Sequence, residues 1–359
     1  MNNDRYIAIL AGGIGARFWP SSTKEKPKQF LDILNIGKSL IQLTYERCLK
    51  IVPNENILIV TNEDYKALVA EHLPNLPKRN ILCEPSMNNT APCVAYTALH
   101  IEARNPNATF AVLPSDHVIL KETEYLDRVN EAFEYANAND AIVTLGIKPT
   151  RPDTGYGYIE LGKKDEANKD SIFSILAFKE KPTVEIAKQY LDSGNYLWNA
   201  GMFVWKVSTI LNSFKENANE ILSVLSKDKS KIGSDEEQSY IDQVYPQTEK
   251  ISVDYAILER AKNVFTIPSD IGWSDLGTWG SLHSYLDKDA SNNVVHAQKS
   301  HIEDVNNSLI RAQQERIIVI KGLDNFIVVD EPGALLIYPK DKEQEIKAVV
   351  KNLKNIDKA

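Results

Sequence analysis

No apolar run in this chain is long enough to span a bilayer, and a strand-like run, Tyr6 to Leu10, begins almost at once with no signal-peptide pattern before it. A cytoplasmic protein without a membrane partner is the expectation. Cysteine is scarce. Cys48, Cys83 and Cys93 follow no spacing, which excludes a disulfide framework and a cysteine-built zinc site and leaves buried thiols. Positive charge is in deficit: 41 Lys+Arg stand against 49 Asp+Glu, a net charge of −8. That balance argues against a nucleic-acid partner held by bulk charge, though not against one anion in a local basic pocket. No tract is of low complexity, and no repeat of fixed period runs through the 359 residues. What remains is ordinary for a globular chain, 43% hydrophobic and 25% charged, and long enough for a large α/β domain plus a smaller one.

Apolar runs alternate with helical patterns over the first half. Ile57 to Thr61, Phe110 to Pro114 and Ala141 to Gly146 read as buried strands. The segment Ser39 to Val52 reads as a helix, with Ser39 and Gln42 spaced as a capping box. Thr90 to Arg104 reads as another, with Pro92 in its first turn. This alternation predicts an α/β fold: a mostly parallel sheet with helices on both faces. From Gly157 to Trp205 the pattern is extended around a helix at Val184 to Leu191. A polar stretch, Asp287 to Asn293, follows. Short strands at Ile317 to Lys321, Phe326 to Asp330 and Ala334 to Tyr338 come next, then a helical tail from Lys342 to Lys354. The boundary is drawn at 286/287, giving a domain over 1–286 and a small β-rich one over 287–359.

The glycine-rich stretch after the first strand lacks what the common phosphate motifs need. A dinucleotide fingerprint counted from Gly13 and Gly15 requires glycine at position 18, which is Phe18. "GKS" at Gly37 to Ser39 imitates a Walker A ending, but its first glycine would fall on Asp32. There remain Gly12, Gly13, Gly15, Arg17 and Lys28. Backbone amides of such a loop form a nest for phosphate oxygens, Arg17 supplies a fork and Lys28 a point charge. A tight turn with surface cations explains the same residues equally well.

The longer pattern breaks that tie. "LAGGIGARFWPSS" from Leu10 and "PKQFL" from Pro27 closely resemble the signature of sugar-1-phosphate nucleotidyltransferases, in the form carried by the mannose-1-phosphate guanylyltransferase branch. "EPSMNNTAP" from Glu84, "LPSDH" from Leu113, "TGYGYIE" from Thr154, "FKEKP" from Phe178, "YLWNAGMFVW" from Tyr196, "SVDYAILE" from Ser252 and "GWSDLGTW" from Gly272 follow in the family's order, over roughly the first 285 residues. One position departs. Where the family usually carries arginine before "NTAP", this chain has Asn88.

The resemblance implies a Rossmann-like nucleotidyltransferase domain followed by a shortened left-handed β-helix or β-roll. It implies transfer of GMP from GTP to mannose 1-phosphate, giving GDP-mannose and pyrophosphate, with Mg²⁺ as cofactor, and it leaves room for a homodimer. Asp116 and Asp275 are the implied metal ligands, and with Arg17 and Lys28 they form the implied catalytic set. Leu10, Ala11, Gly12, Gly13, Gly15, Glu84, Asn89, Thr90, Pro114 and Ser115 would line the nucleotide. Gly155, Glu180, Lys181 and Asn199 would hold the sugar phosphate. The chemistry suits these residue types: the attacking group is already an anionic phosphate oxygen, so cations and rigid positioning matter more than a base. The same residues would serve another nucleotide or hexose 1-phosphate, or a non-catalytic nucleotide-sugar-binding protein. A glycosyltransferase would want an Asp-x-Asp motif where this chain has "PSDH".

Overall fold

The structure, a computed structural model, describes residues 3–13, 15–165, 171–312 and 315–356, the side chains of 354–356 excepted. The chain forms two compact units from interleaved segments. One comprises Met1–Gly12, Thr44–Ser115 and Ile119–Trp273; the other comprises Gly13–Leu43, Asp116–Val118 and Ser274–Ala359. Among the described residues no helix is long and apolar enough to cross a membrane.

The first unit is built on a sheet. Its opening strands are β1 (Arg5–Leu10), β2 (Ile57–Asn62), β3 (Ile81–Glu84) and β4 (Thr109–Pro114), which pair in parallel in the order β3-β2-β1-β4. β5 (Val118–Ile119) is a two-residue strand. Then come β6 (Ile142–Ile147), β7 (Gly157–Lys164), β8 (Phe173–Glu180), β9 (Tyr196–Lys206) and β10 (Val264–Pro268). The nine long strands run β3-β2-β1-β4-β9-β6-β10-β8-β7, with β9 antiparallel to both β4 and β6. Ile7, Ala8 and Ile9 of β1 are all fully buried, as a strand covered on both faces must be. The helix Thr90–Arg104 ends at the residues its sequence predicts and buries Ala91 to Ile101 without interruption. The expected helix Ser39 to Val52 is shorter, Leu40–Cys48; Ile51 and Val52 instead close turns back onto the Cys48 carbonyl. The three cysteines are free and buried.

The second unit holds β11 (Trp273–Ser274) in part, then β12 (Val294–His296), β13 (Lys299–Glu303), β14 (Leu309–Arg311), β15 (Ile317–Lys321), β16 (Phe326–Glu331) and β17 (Ala334–Pro339). β12, β14 and β16 stack in parallel, as do β13 and β15, so successive coils of chain lie on one another. Asn292, Asn307 and Asn325 each turn the chain with positive φ (59°, 48° and 62°), a conformation asparagine tolerates. Their amides form a ladder. Asn292 Nδ2 donates to Asn307 Oδ1 at 2.8 Å and Asn307 Nδ2 to Asn325 Oδ1 at 3.1 Å. The core of this unit joins distant stretches: Phe18, Leu31, Ile33 and Leu34 pack with Trp279, Leu309, Ile327, Val329, Leu336 and Ile346.

Candidate active site

Within the second unit, Gly15 takes φ 70° and starts a short 3₁₀ turn, Ala16–Phe18, that carries Arg17. The Arg17 guanidinium donates to the Gly277 carbonyl at 3.4 Å. A second 3₁₀ turn, Lys28–Phe30, presents Lys28. The sequence reading put that charge in solvent. It is buried, 3% exposed, and each of its three N–H donors has an acceptor: Asp116 Oδ2 at 2.9 Å and the carbonyls of Asp275 and Leu276 at 2.6 and 2.9 Å. The correction has a simple cause, since an ammonium enters a protein interior only where its hydrogen bonds are made. Asp116, by its carboxylate, and Asp275, by its main-chain carbonyl, thus meet at one ammonium although they are far apart in sequence. Asp116 keeps about a third of its side chain exposed (32%), and His117 Nε2 lies 4.0 Å from its other oxygen. Asp275 Oδ1 accepts from the Gly277 N–H at 3.0 Å, the turn role any aspartate could fill.

The glycines of this loop separate cleanly. A Cβ on Gly15 would lie 2.4 Å from Lys28 Cβ, whereas one on Gly13 would meet no described atom within 4 Å. Gly15→Ala should therefore cost roughly 1–3 kcal/mol from φ strain and crowding, and Gly13→Ala close to nothing. Thermal denaturation of the two variants checks this; an equal fall in Tm for both would refute it.

Within the first unit, the carboxyl ends of the parallel strands gather the other nucleotide candidates, where open α/β sheets bind ligands. Leu10 is paired with Val60 and Pro114, and its carbonyl accepts from Ser115 N at 3.1 Å. Ala11 is held by Val60 O and by the Thr61 hydroxyl. Glu84 ends β3, and a Cβ on Gly12 would be 3.6 Å from its Oε2. Asn89, at φ 68°, caps the Thr90–Arg104 helix, and the Thr90 hydroxyl accepts from Val253 N at 2.9 Å. Asn88 is buried. Its Nδ2 reaches Tyr245 O at 3.1 Å and Thr248 Oγ1 at 3.0 Å, so the residue at the arginine position ties two loops together.

The sugar-phosphate candidates also lie in the first unit. Glu180 ends β8 with only 10% of its side chain exposed, and the ammonium of Lys181, 60% exposed, rests on it. Lys181 has φ 46°, which folds the two neighbouring side chains together instead of to opposite faces. Gly157 gives this carboxylate its seat, since a Cβ there would be 2.5 Å from Glu180 Oε2. Gly155 N donates to Asp153 Oδ1 at 2.8 Å. Asn199 of β9 bonds Asp254, which lies inside "SVDYAILE" but drew no assignment from the sequence. Trp198, Met202, Phe203 and Trp205 are core.

Residues 7–292 match the nucleotidyl transferase family, and residues 299–353 match the mannoseP isomerase/GMP-like β-helix domain. The chain is 36% identical over 355 residues to a mannose-1-phosphate guanylyltransferase of Escherichia coli (strain K12), covering 97% of this chain and 73% of that one. The chain belongs to the mannose-1-phosphate guanylyltransferase family. Another member, mannose-1-phosphate guanylyltransferase RfbM of Salmonella typhimurium (strain LT2), is 37% identical over 356 residues, 98% of this chain and 72% of its own. A crystal structure from Thermus thermophilus, described as a mannose-1-phosphate geranyltransferase, superimposes with a TM-score of 0.87 at 30% identity, covering 98% of this chain and 99% of that one. The fold expectation, a Rossmann-like nucleotidyltransferase followed by a β-helix-like domain, is met.

Two carboxyls in this family member differ sharply. Burial would raise Asp116, but the Lys28 ammonium, His117 and the hydrogen bond from Lys28 outweigh it and hold the carboxyl below its usual range. It stays ionised near neutral pH, and carboxylate oxygens of its kind are the hard donors that Mg²⁺ takes. Glu84 goes the other way. Burial pushes it up to about 7, against hydrogen bonds from Tyr245 and Cys93. Between its ordinary value and 7 the folded state binds more protons than the unfolded chain, so stability falls as pH rises through that window. Glu84→Gln should then stabilise the fold by roughly 2–3 kcal/mol at pH 8 and by little at pH 4.5. Urea denaturation at both pH values decides it, and a pH-independent difference would count against it.

Proposed function

We propose that the chain transfers GMP from GTP to mannose 1-phosphate, giving GDP-mannose and pyrophosphate, the activity for which its relatives are named. The observation that carries this reading in the chain itself is the buried Lys28 ammonium, which joins the Asp116 carboxylate to the main-chain carbonyl of Asp275. A phosphate oxygen of the sugar phosphate attacks the α-phosphorus. That O–P bond forms as the bond to the β-phosphate breaks, and pyrophosphate leaves with the electron pair. No side chain need remove a proton. Arg17 offers its guanidinium to the triphosphate oxygens, and the amides around Gly13 and Gly15 add neutral donors. Asp116 and Asp275 would hold Mg²⁺, which when bound supplies positive charge to the phosphates. Glu180 and Asn199 accept from and donate to sugar hydroxyls, and Lys181 receives the 1-phosphate.

A pyrophosphate-release assay over a matrix of triphosphates and sugar 1-phosphates, with Mg²⁺ present and absent, tests the proposal. Turnover greatest with GTP and mannose 1-phosphate, and dependent on Mg²⁺, is the expected result. Preference for another pair would move the assignment within the same chemistry, and no release with any pair would end it.

A further inference from the structure

Asn199 is held in one orientation. Its Oδ1 accepts from Gly201 N at 3.1 Å and lies 3.1 Å from the Thr144 hydroxyl, so its Nδ2 must be the atom 3.2 Å from Asp254 Oδ1. Asp254 begins a π-helical turn, Asp254–Leu258, a geometry that recurs at functional sites. It is half-buried, and it senses two charges from the end of β8 and the residue after it: Glu180, which repels its anion, and Lys181, which favours it. Ser252, beside it in the chain, hydrogen-bonds its carboxylate. Burial first, and then the Glu180 charge, push Asp254 up to about 6. A carboxylate and a fixed carboxamide are therefore in hydrogen-bond contact in the first unit, and the Glu180 carboxylate and Lys181 ammonium lie near enough for their charges to act on that carboxylate. Like charges so placed cost the empty protein stability. Donor hydrogens from an uncharged, hydroxyl-rich part of a ligand would relieve that cost, and the ring of a hexose phosphate supplies them in adjacent pairs.

We infer that Asp254 is a second carboxylate acceptor for the hexose hydroxyls, acting with Asn199 and Glu180. The inference rests on the proposed use of a sugar 1-phosphate. Asp254→Asn keeps the size of the side chain and an oxygen for Asn199, but loses the charge. At pH 8 it should raise the KM for mannose 1-phosphate about tenfold, the cost of one weakened buried hydrogen bond, and leave the KM for GTP within about twofold. The substrate phosphate has a second ionisation near pH 6, so the quantity to read is the ratio of variant to parent KM. That ratio should shrink towards one at pH 5, where the parent's Asp254 is itself protonated. A ratio that is constant with pH, a ratio near one at pH 8, or equal effects on both substrates would overturn the inference, since a merely structural role produces no such titration. Calorimetric binding of mannose 1-phosphate alone separates this from the reaction. Binding weakened about tenfold at pH 8 but not at pH 5 would sustain the contact even in a parent that released no pyrophosphate. Equal binding by variant and parent at pH 8 would remove it even if turnover with GTP were normal.

Discussion

Asp275→Asn is expected to lower kcat at least about a hundredfold while Tm stays nearly unchanged. The substitution leaves in place the Asp275 carbonyl that accepts from Lys28 and an oxygen that can still accept from Gly277 N, so the turn survives. What would disappear is one of the two negative charges of the proposed Mg²⁺ site. Asp116→Asn should lower kcat by a similar factor but should also lower Tm, because it strips the counter-ion from a buried ammonium. In both variants the Mg²⁺ concentration giving half-maximal rate should rise. Two variants with parental kcat and parental Mg²⁺ dependence would show that neither carboxylate holds the ion. The Asp116–Lys28 pair also gives a pH signature. Its stabilisation is present above the unfolded carboxyl value and is lost as pH falls through the lower folded value.

Lys28→Met should unfold the second unit more readily as well as abolish turnover. Three acceptors lose their donor at once: one carboxylate and two carbonyls. Removing one side of a buried charged pair costs about 3 kcal/mol. In a protein of this size that corresponds to a fall in Tm of roughly 5 °C or more. The thioether also gives up the placement of the ammonium over the Phe18 ring, 5.6 Å from its centroid. Lost activity with an unchanged Tm would mean that the lysine serves the phosphates alone, as an exposed charge would. Both readouts come from one purified variant, by differential scanning calorimetry and by pyrophosphate release.

Local signals were legible in the sequence where local forces decide. The Thr90–Arg104 helix was readable to its ends because its cap, its Pro92 and its apolar spacing all lie within it. The strand Phe326–Glu331 was readable because turn residues, "GLDN" before it and "EPG" at its end, bound it on both sides. The burial of Lys28 was not, since the carbonyl that holds it lies 247 residues away. The stacked coils of the C-terminal region escaped as a repeat for a different reason. Val294 pairs with Leu309 and Leu309 with Ile327, unequal steps that no fixed period can register. Only the three asparagines mark the coils, and asparagine is too common in turns to announce a ladder. Asp254 sat in a quoted motif but pointed nowhere until its amide partner, 55 residues away, was placed.

The shared core of the second unit sets a timetable for the newborn chain. Phe18, Leu31, Ile33 and Leu34 leave the ribosome long before many of the side chains that cover them, Leu309 to Ile346, are made. At about 5–20 residues per second, some 300 residues of synthesis separate them, a wait of roughly 15–60 s. The first unit can collapse around its sheet in that interval, because Ile7, Leu58 and Phe110 find their partners before residue 273 is added. The early segment of the second unit must meanwhile stay soluble with its apolar residues uncovered. A ribosome stalled once Trp273 had emerged, and before residue 309 had, would thus hold a protein with one unit folded and the glycine loop, Arg17 and Lys28 still without much of the core that positions them.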